Sequence, residues 1–151
     1  MIVTDFYEPH ISGIVTYIKQ CLEGYKKLNC SVTILTTLHN NSLKKEEIID
    51  DVKIIRCQPT IKISRGFYSF ELIKKYYTLH KEFDFINISF PLTEIFPLIL
   101  KFNNKTFVTY HCLPPSFLYN KFFCLFFYFF GFLSLVFSKK IIFLSKDYFR
   151  N

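Results

Sequence analysis

Three short stretches carry residue types that can do chemistry, and each follows a run of β-branched or aromatic residues. The first is Pro9-His10-Ile11-Ser12-Gly13, just after Ile2-Val3-Thr4. Ser12 can cap a helix, and Gly13 behind it lets a ligand approach the backbone. The first amides of a helix lack intrahelical acceptors and lie at the positive end of its dipole, so such a turn suits an anion. The second stretch holds Asn87 and Ser89, polar residues in the run DFINISF. The third is His111, delivered at the end of TFVTY, where an imidazole can hydrogen-bond hydroxyls or move a proton. No stretch is specific alone: the turn lacks both the G-x-G-x-x-G and the G-K-[ST] phosphate signatures. His10, His39 and His80 have no metal-ligand spacing, so no metal and no cofactor is expected.

The elements that must position these residues follow from periodicity. Ile14, Tyr17, Ile18, Cys21, Leu22, Tyr25 and Leu28 form one stripe at helical spacing, and Asn29 sits where such a helix ends. Strands are expected at 31–37, 52–57, 84–90, 106–110 and 141–144. Residues 38–51 read as a solvated loop with one helical turn, and the segment between Pro59 and Gly66 as a loop holding Lys62 and Arg65. Ser69 caps a helix that runs to about Glu82, with Phe70, Ile73 and Tyr77 on one face. Pro91 opens a short helix to Leu100, Pro114-Pro115 breaks the chain, and Ser145-Lys146-Asp147 starts a further helix. Apolar strands alternating with helices predict an α/β fold. It is a Rossmann-like three-layer domain with a mainly parallel sheet of about six strands, whose C-terminal strand ends gather Ser12, Gly13, Ser89 and His111.

Composition bounds the partners. The chain of 151 residues fits one domain, is 50% hydrophobic, and carries 19 Lys and Arg against 12 Asp and Glu, a net charge of +7. That balance suits an anionic ligand or an anionic membrane surface. The lysines do not gather with aromatics on one element, so no nucleic acid is expected. Phe is abundant at 20 copies, partly because AT-rich codons favour it. Five cysteines without a C-x-x-C pair indicate neither a disulfide framework nor a zinc site. With no basic region and apolar core at the N-terminus, no secretory signal is read, and the expected setting is reducing and cytoplasmic.

Four segments in register resemble the family 4-like N-terminal domain of the GT-B glycosyltransferases. TDFYEPHISGIVTYIKQCLEGYKKLNCSVTILT is similar to that family's strand, P-x-x-G-G-[IV] turn, helix and second strand. FDFINISFP, FVTYH and KKIIFLSKDYF follow in the family's order. The resemblance covers essentially residues 1–151 as one acceptor-side domain. It implies a retaining, metal-independent transfer of sugar from a nucleotide-sugar donor to a lipid-linked or glycan acceptor. Gly13 then matches the second glycine of the diphosphate turn, Ser12 replaces the first, and His111 matches the histidine beside the transferred sugar. Asn87 and Ser89 stand at the acceptor edge. The nucleotide pocket is expected in a C-terminal domain, separately encoded or otherwise outside this chain. The isolated chain, incomplete at the end of its first domain, is expected to be inactive. Two other readings stay open: a non-catalytic fragment or partner subunit docking on a separate donor-binding domain, and a small membrane-associated protein.

Residues 122–137, from Phe122 to Phe137, are 16 without a charge. As a helix they span about 24 Å, short of the roughly 30 Å hydrocarbon core. A helix buried against the sheet, an interfacial helix flanked by Lys121, Lys139 and Lys140, and a membrane span all remain open, and the interfacial reading makes the protein peripheral on the cytoplasmic membrane face.

Overall fold

The computed structural model describes residues 1–63, 66–111 and 121–144; at 121–124, 126, 127 and 135 only the backbone is described. The expected break at Pro114-Pro115, the loop residue Arg65 and the helix start at 145–147 lie outside these residues.

The elements in order are β1 (Ile2–Val3), α1 (Gly13–Lys27), β2 (Thr33–Thr37), β3 (Glu46–Ile49), β4 (Val52–Cys57), β5 (Ile61–Ile63), β6 (Gly66–Tyr68), α2 (Phe70–Leu79), β7 (Ile86–Phe90), α3 (Ile95–Ile99), β8 (Thr106–Tyr110), α4 (Lys121–Phe137) and β9 (Lys140–Phe143). The fold is α/β. Seven strands form one sheet in the order β3-β4-β2-β1-β7-β8-β9, parallel throughout except for the β3–β4 pair. The chain moves from β1 outward through β2 to β4, then returns to β7 on the other side of β1. The order of strands therefore reverses between β1 and β7, where an open parallel sheet leaves a crevice at its C-terminal edge.

Two apolar clusters show why the alternation of each strand matters. Ile2, Ile34, Val52 and Ile54 pack under Val15 and Ile18 of α1. Their strand neighbours Val3, Leu35, Ile55, Cys57, Ile88, Phe90 and Val108 turn the other way, to pack with Leu72 and Tyr76 of α2 and with Ile95, Leu98 and Ile99 of α3. Both caps of α1 are as its sequence suggests. Ser12 Oγ accepts from Val15 N at 3.3 Å. At the other end Asn29 has φ 54, with Cys30 N bonded to Tyr25 O and Asn29 N to Lys26 O, the pair of bonds that closes a helix on a left-handed residue.

Several expectations need correction. The sheet has seven strands rather than about six, because the stretch read as a solvated loop contains β3. Asp50 and Asp51 both have positive φ, 50 and 68, and form the two-residue hairpin turn joining β3 to β4. Asp-Asp is an uncommon pair for that turn, so the usual Asn-Gly signal is missing. Within the segment read as a loop between Pro59 and Gly66, Ile61–Ile63 form β5, which pairs with β6 in a second, two-stranded sheet. Helix α2 ends at Leu79 rather than near Glu82, and its buried face is Leu72 and Tyr76, leaving Phe70 exposed. Pro91 lies ahead of α3 rather than in its first turn, and the Glu8–Pro9 and Phe90–Pro91 peptides are cis. The apolar segment is helix α4. Its inner side meets the core through Phe130, whose ring lies 4.3 Å from that of Phe96, and through Gly131, where a Cβ would sit 3.0 Å from the Phe90 ring. Among the described residues no helix is long and apolar enough to cross a membrane.

Candidate functional site

The residues singled out above lie on the α1 side of the sheet, where the strand order reverses between β1 and β7. Ser12 and Gly13 head α1, and the first turn of that helix has no acidic residue to compete for an anion. A Cβ at Gly13 would meet nothing within 4 Å, and its φ is not positive, so neither packing nor backbone conformation calls for glycine at this position. The face of β7 that carries Asn87 and Ser89 looks toward α1, since their neighbours Ile88 and Phe90 fill the opposite cluster.

That face is polar although it is buried. Thr109 Oγ1 donates to Asn87 Oδ1 at 2.9 Å, so the amide carbonyl of Asn87 already has a partner inside the protein. Ser89 is 1% exposed and its Oγ has no hydrogen-bond partner. His111, next along the same face of β8 from Thr109, donates its backbone N–H to Phe90 O at 3.0 Å and sets its ring 5.1 Å from that of Tyr17, edge to face. Nε2 of His111 is likewise buried and unpartnered. An orphaned buried polar atom costs about 1–3 kcal/mol, so each of these two, like His39 Nδ1, Arg56 Nε and Tyr76 OH, is hydrogen-bonding capacity that the fold has left unused. Burial lowers the His111 pKa to about 4, so the imidazole is neutral at pH 7 and can offer one donor and one acceptor, not a charge. Ser89 and His111 thus lie on the sheet face that α1 covers, with His111 against Tyr17 one turn into that helix, and Asn87 on the same face is engaged with Thr109.

Four features of this edge escaped the sequence reading. Asp5, just past β1, accepts from Thr37 Oγ1 at 3.3 Å and from the Phe67 backbone N–H. Glu94, fully buried, accepts from Ser69 N at 2.7 Å and from Thr93 Oγ1 at 2.8 Å, while the Thr93 hydroxyl also bonds Phe67 O. Burial, and for Asp5 also the neighbouring Glu94, raises both carboxyls to about 7. Together they tie β6 to the edge of the main sheet, and Gly66 is needed there because a Cβ would come within 2.6 Å of Asp5 Oδ2. A lone acid in the apolar run INISFPLTEIFPLIL was the available signal for Glu94.

Arg56 is the third feature. It is 2% exposed, pairs with Glu47, and donates to Lys44 O at 3.0 Å and Glu8 O at 2.8 Å, which holds the loop before α1 against β4. Its parity with Val52 and Ile54 was the available signal. The fourth is an aromatic group in which the His10 ring stacks on Phe6 at 4.3 Å, His39 lies 5.6 Å from His10, and Phe67 lies 5.8 Å from Phe6. Residues 29 positions apart meet here because β1 and β2 are neighbours in the sheet.

Among the described residues, no group of three His, Cys, Asp or Glu is placed to hold a metal ion. Cys21, Cys30 and Cys57 are free thiols, and burial pushes Cys57 up to about 12, far from a reactive thiolate. A cavity of about 520 Å³ lined by Tyr7, Lys19, Leu22, Cys30, Asp50 and Val52 lies between α1 and the β3–β4 turn, and shares no residue with the crevice. Comparison of the chain with protein-family models, with curated proteins and with solved structures returned no match.

Proposed function

We propose that the chain is the acceptor-side, N-terminal domain of a retaining, metal-independent glycosyltransferase of the GT-B kind, built as a Rossmann-like three-layer unit, whose crevice receives the diphosphate and sugar of a nucleotide-sugar donor. The observation that supports the reading is a pair of buried, unpartnered polar atoms, Ser89 Oγ and His111 Nε2, on the sheet face that α1 covers, a helix with no acid in its first turn. Tyr17, one turn into α1, touches His111 and fixes the imidazole beside that helix.

In such a transfer the bond from the anomeric carbon to the phosphate oxygen breaks and its electron pair leaves with the diphosphate, while an acceptor hydroxyl oxygen bonds that carbon from the same face and its proton passes to the departing phosphate. The growing negative charge falls where the amides of Gly13 and Ile14 point, a donor set already in place before reaction. Neutral His111 and the Ser89 hydroxyl then bond sugar hydroxyls and orient the ring, a task that requires hydrogen-bond direction and no net charge. By the resemblance, the nucleotide pocket and most of the cationic groups belong to a second domain, and the acceptor is lipid-linked or a glycan.

Titration with UDP, UDP-glucose and GDP-mannose, followed by amide NMR shifts, tests the reading. Saturable shifts at Gly13, Ile14 and His111 are expected with a nucleotide-sugar. His111→Ala should weaken the sugar-dependent part and leave the response of Gly13 to UDP alone. No saturable shift at Gly13 with any of the three compounds overturns the reading.

A further inference from the structure

Among the described residues, the outward side of α4 is an apolar stripe without a partner. Leu125, Tyr128, Phe129, Phe132 and Val136 recur at offsets of 3, 4, 7 and 11 from the first, which gathers them within about 100° of the helix circumference, and four of the five are more than half exposed. Beside it, Leu100 of α3, the helix against which α4 packs, is 69% exposed, and Ile141 of β9, on the same sheet face as Phe143, is 36% exposed. Large contiguous apolar surface of this kind marks an interaction site.

Charge decides the occupant. From Ile95 to Lys146 the chain has no acidic residue and six lysines, Lys101, Lys105, Lys121, Lys139, Lys140 and Lys146, whereas eleven of its twelve acids precede Ile95. Lys139 and Lys140, exposed, directly follow α4. An apolar helix face with the exposed Lys139 and Lys140 at its end fits the anionic face of a lipid bilayer, where acyl chains accept the rings and headgroup phosphates accept the ammonium groups. A second copy would set the same lysines against one another, which disfavours self-association through this face. Crossing the bilayer is not available to α4: its 17 residues reach about 26 Å, and Phe130, Gly131 and Ser134 on its inner side are committed to the protein.

We infer that the α3–α4–β9 flank is a membrane-docking surface, on which the outer stripe of α4 enters the headgroup region of an anionic bilayer while Lys139 and Lys140 pair with lipid phosphates. The inference stands apart from the nucleotide-sugar reading, since vesicle binding and ligand binding are measured separately.

Flotation of the full chain with phosphatidylcholine vesicles containing about 30% phosphatidylglycerol, against pure phosphatidylcholine, is the test. The chain should float with the anionic vesicles and stay behind with the neutral ones. Replacing Lys139 and Lys140 by Gln should lower vesicle partitioning about fivefold per lysine, in line with the pull of an anionic surface on each charge. Phe129→Asp and, separately, Phe132→Asp should abolish flotation. Both residues point outward, so far-UV circular dichroism should be unchanged and should show that the variants are folded. Three results overturn the inference: no flotation of the wild type, flotation undiminished in folded Phe129→Asp and Phe132→Asp, or concentration-dependent self-association without vesicle binding that Phe129→Asp removes, which would assign the face to a second copy.

Discussion

His111 and Asp5 stand a few residues from sheet strands, yet burial moves them in opposite directions, because desolvation disfavours whichever form is charged. In His111 the charged form is the protonated one, so its pKa falls to about 4, and the ring protons should titrate well below the usual imidazole range in an NMR titration. A midpoint near 6.5 would show that the ring is solvated and would remove it from the crevice. In Asp5 the charged form is the deprotonated one, and its pKa rises to about 7, as does that of Glu94. The folded chain therefore holds protons that the unfolded chain releases at ordinary carboxylate values. The stabilisation from these two groups is complete below about pH 4 and is lost as pH rises to about 7. Asp5→Asn removes one of the two. Across pH 5 to 8 the melting temperature of the wild type should fall relative to that of Asp5→Asn by several degrees, and a constant difference would rule out titration of Asp5 in this window.

At the scale of elements, α1 is the piece whose position the crevice depends on. Its head is set by Ser12, and Ser12→Ala should destabilise the chain by about 1 kcal/mol in denaturant unfolding, while Ser12→Gly should cost only a few tenths. The order of the two variants is diagnostic, since a helix end without a working cap would not distinguish them. Arg56 sets the approach to that helix from the other side by holding Glu8 O. The elements that were legible in the sequence are those whose stability is written locally. The stripe and both ends of α1, the Ser69 cap of α2, and the apolar runs of β7 and β8 each require only near neighbours. Strands β3, β5 and β6 were not legible, because EEII, IKI and GFY have too little pattern by themselves. Their backbones gain partners only when β4 offers its edge or when the two short strands meet each other.

Across the whole molecule, α4 shows how one helix can be committed inward and available outward. Gly131 lies against the fully buried Phe90 ring, so Gly131→Val should push the helix off the sheet and cost about 1–3 kcal/mol in thermal or denaturant unfolding, even though valine is no poorer a helix former than glycine. An unchanged stability would mean that α4 is not packed on Phe90. The same helix carries the exposed stripe and is followed by the exposed Lys139 and Lys140, so its outer side presents apolar rings and cations together.

By itself the sequence determined the α/β class with a mainly parallel sheet, the capped head of α1, and the placing of Ser89 and His111 toward strand ends, since these rest on periodicity, capping and parity between residues close in the chain, whereas the order of strands around β1 came from the tertiary structure. Only the tertiary structure decided that Asn87 is spent on Thr109 while Ser89 and His111 are left unpartnered, that Asp5 and Glu94 share the β6 edge, that His10 meets His39, and that the stripe of α4 faces outward. Burial, hydrogen-bond satisfaction and pKa depend on which atoms replace water around a group. Here those atoms come from strands and helices distant in sequence, and their arrival is settled only when the sheet orders itself.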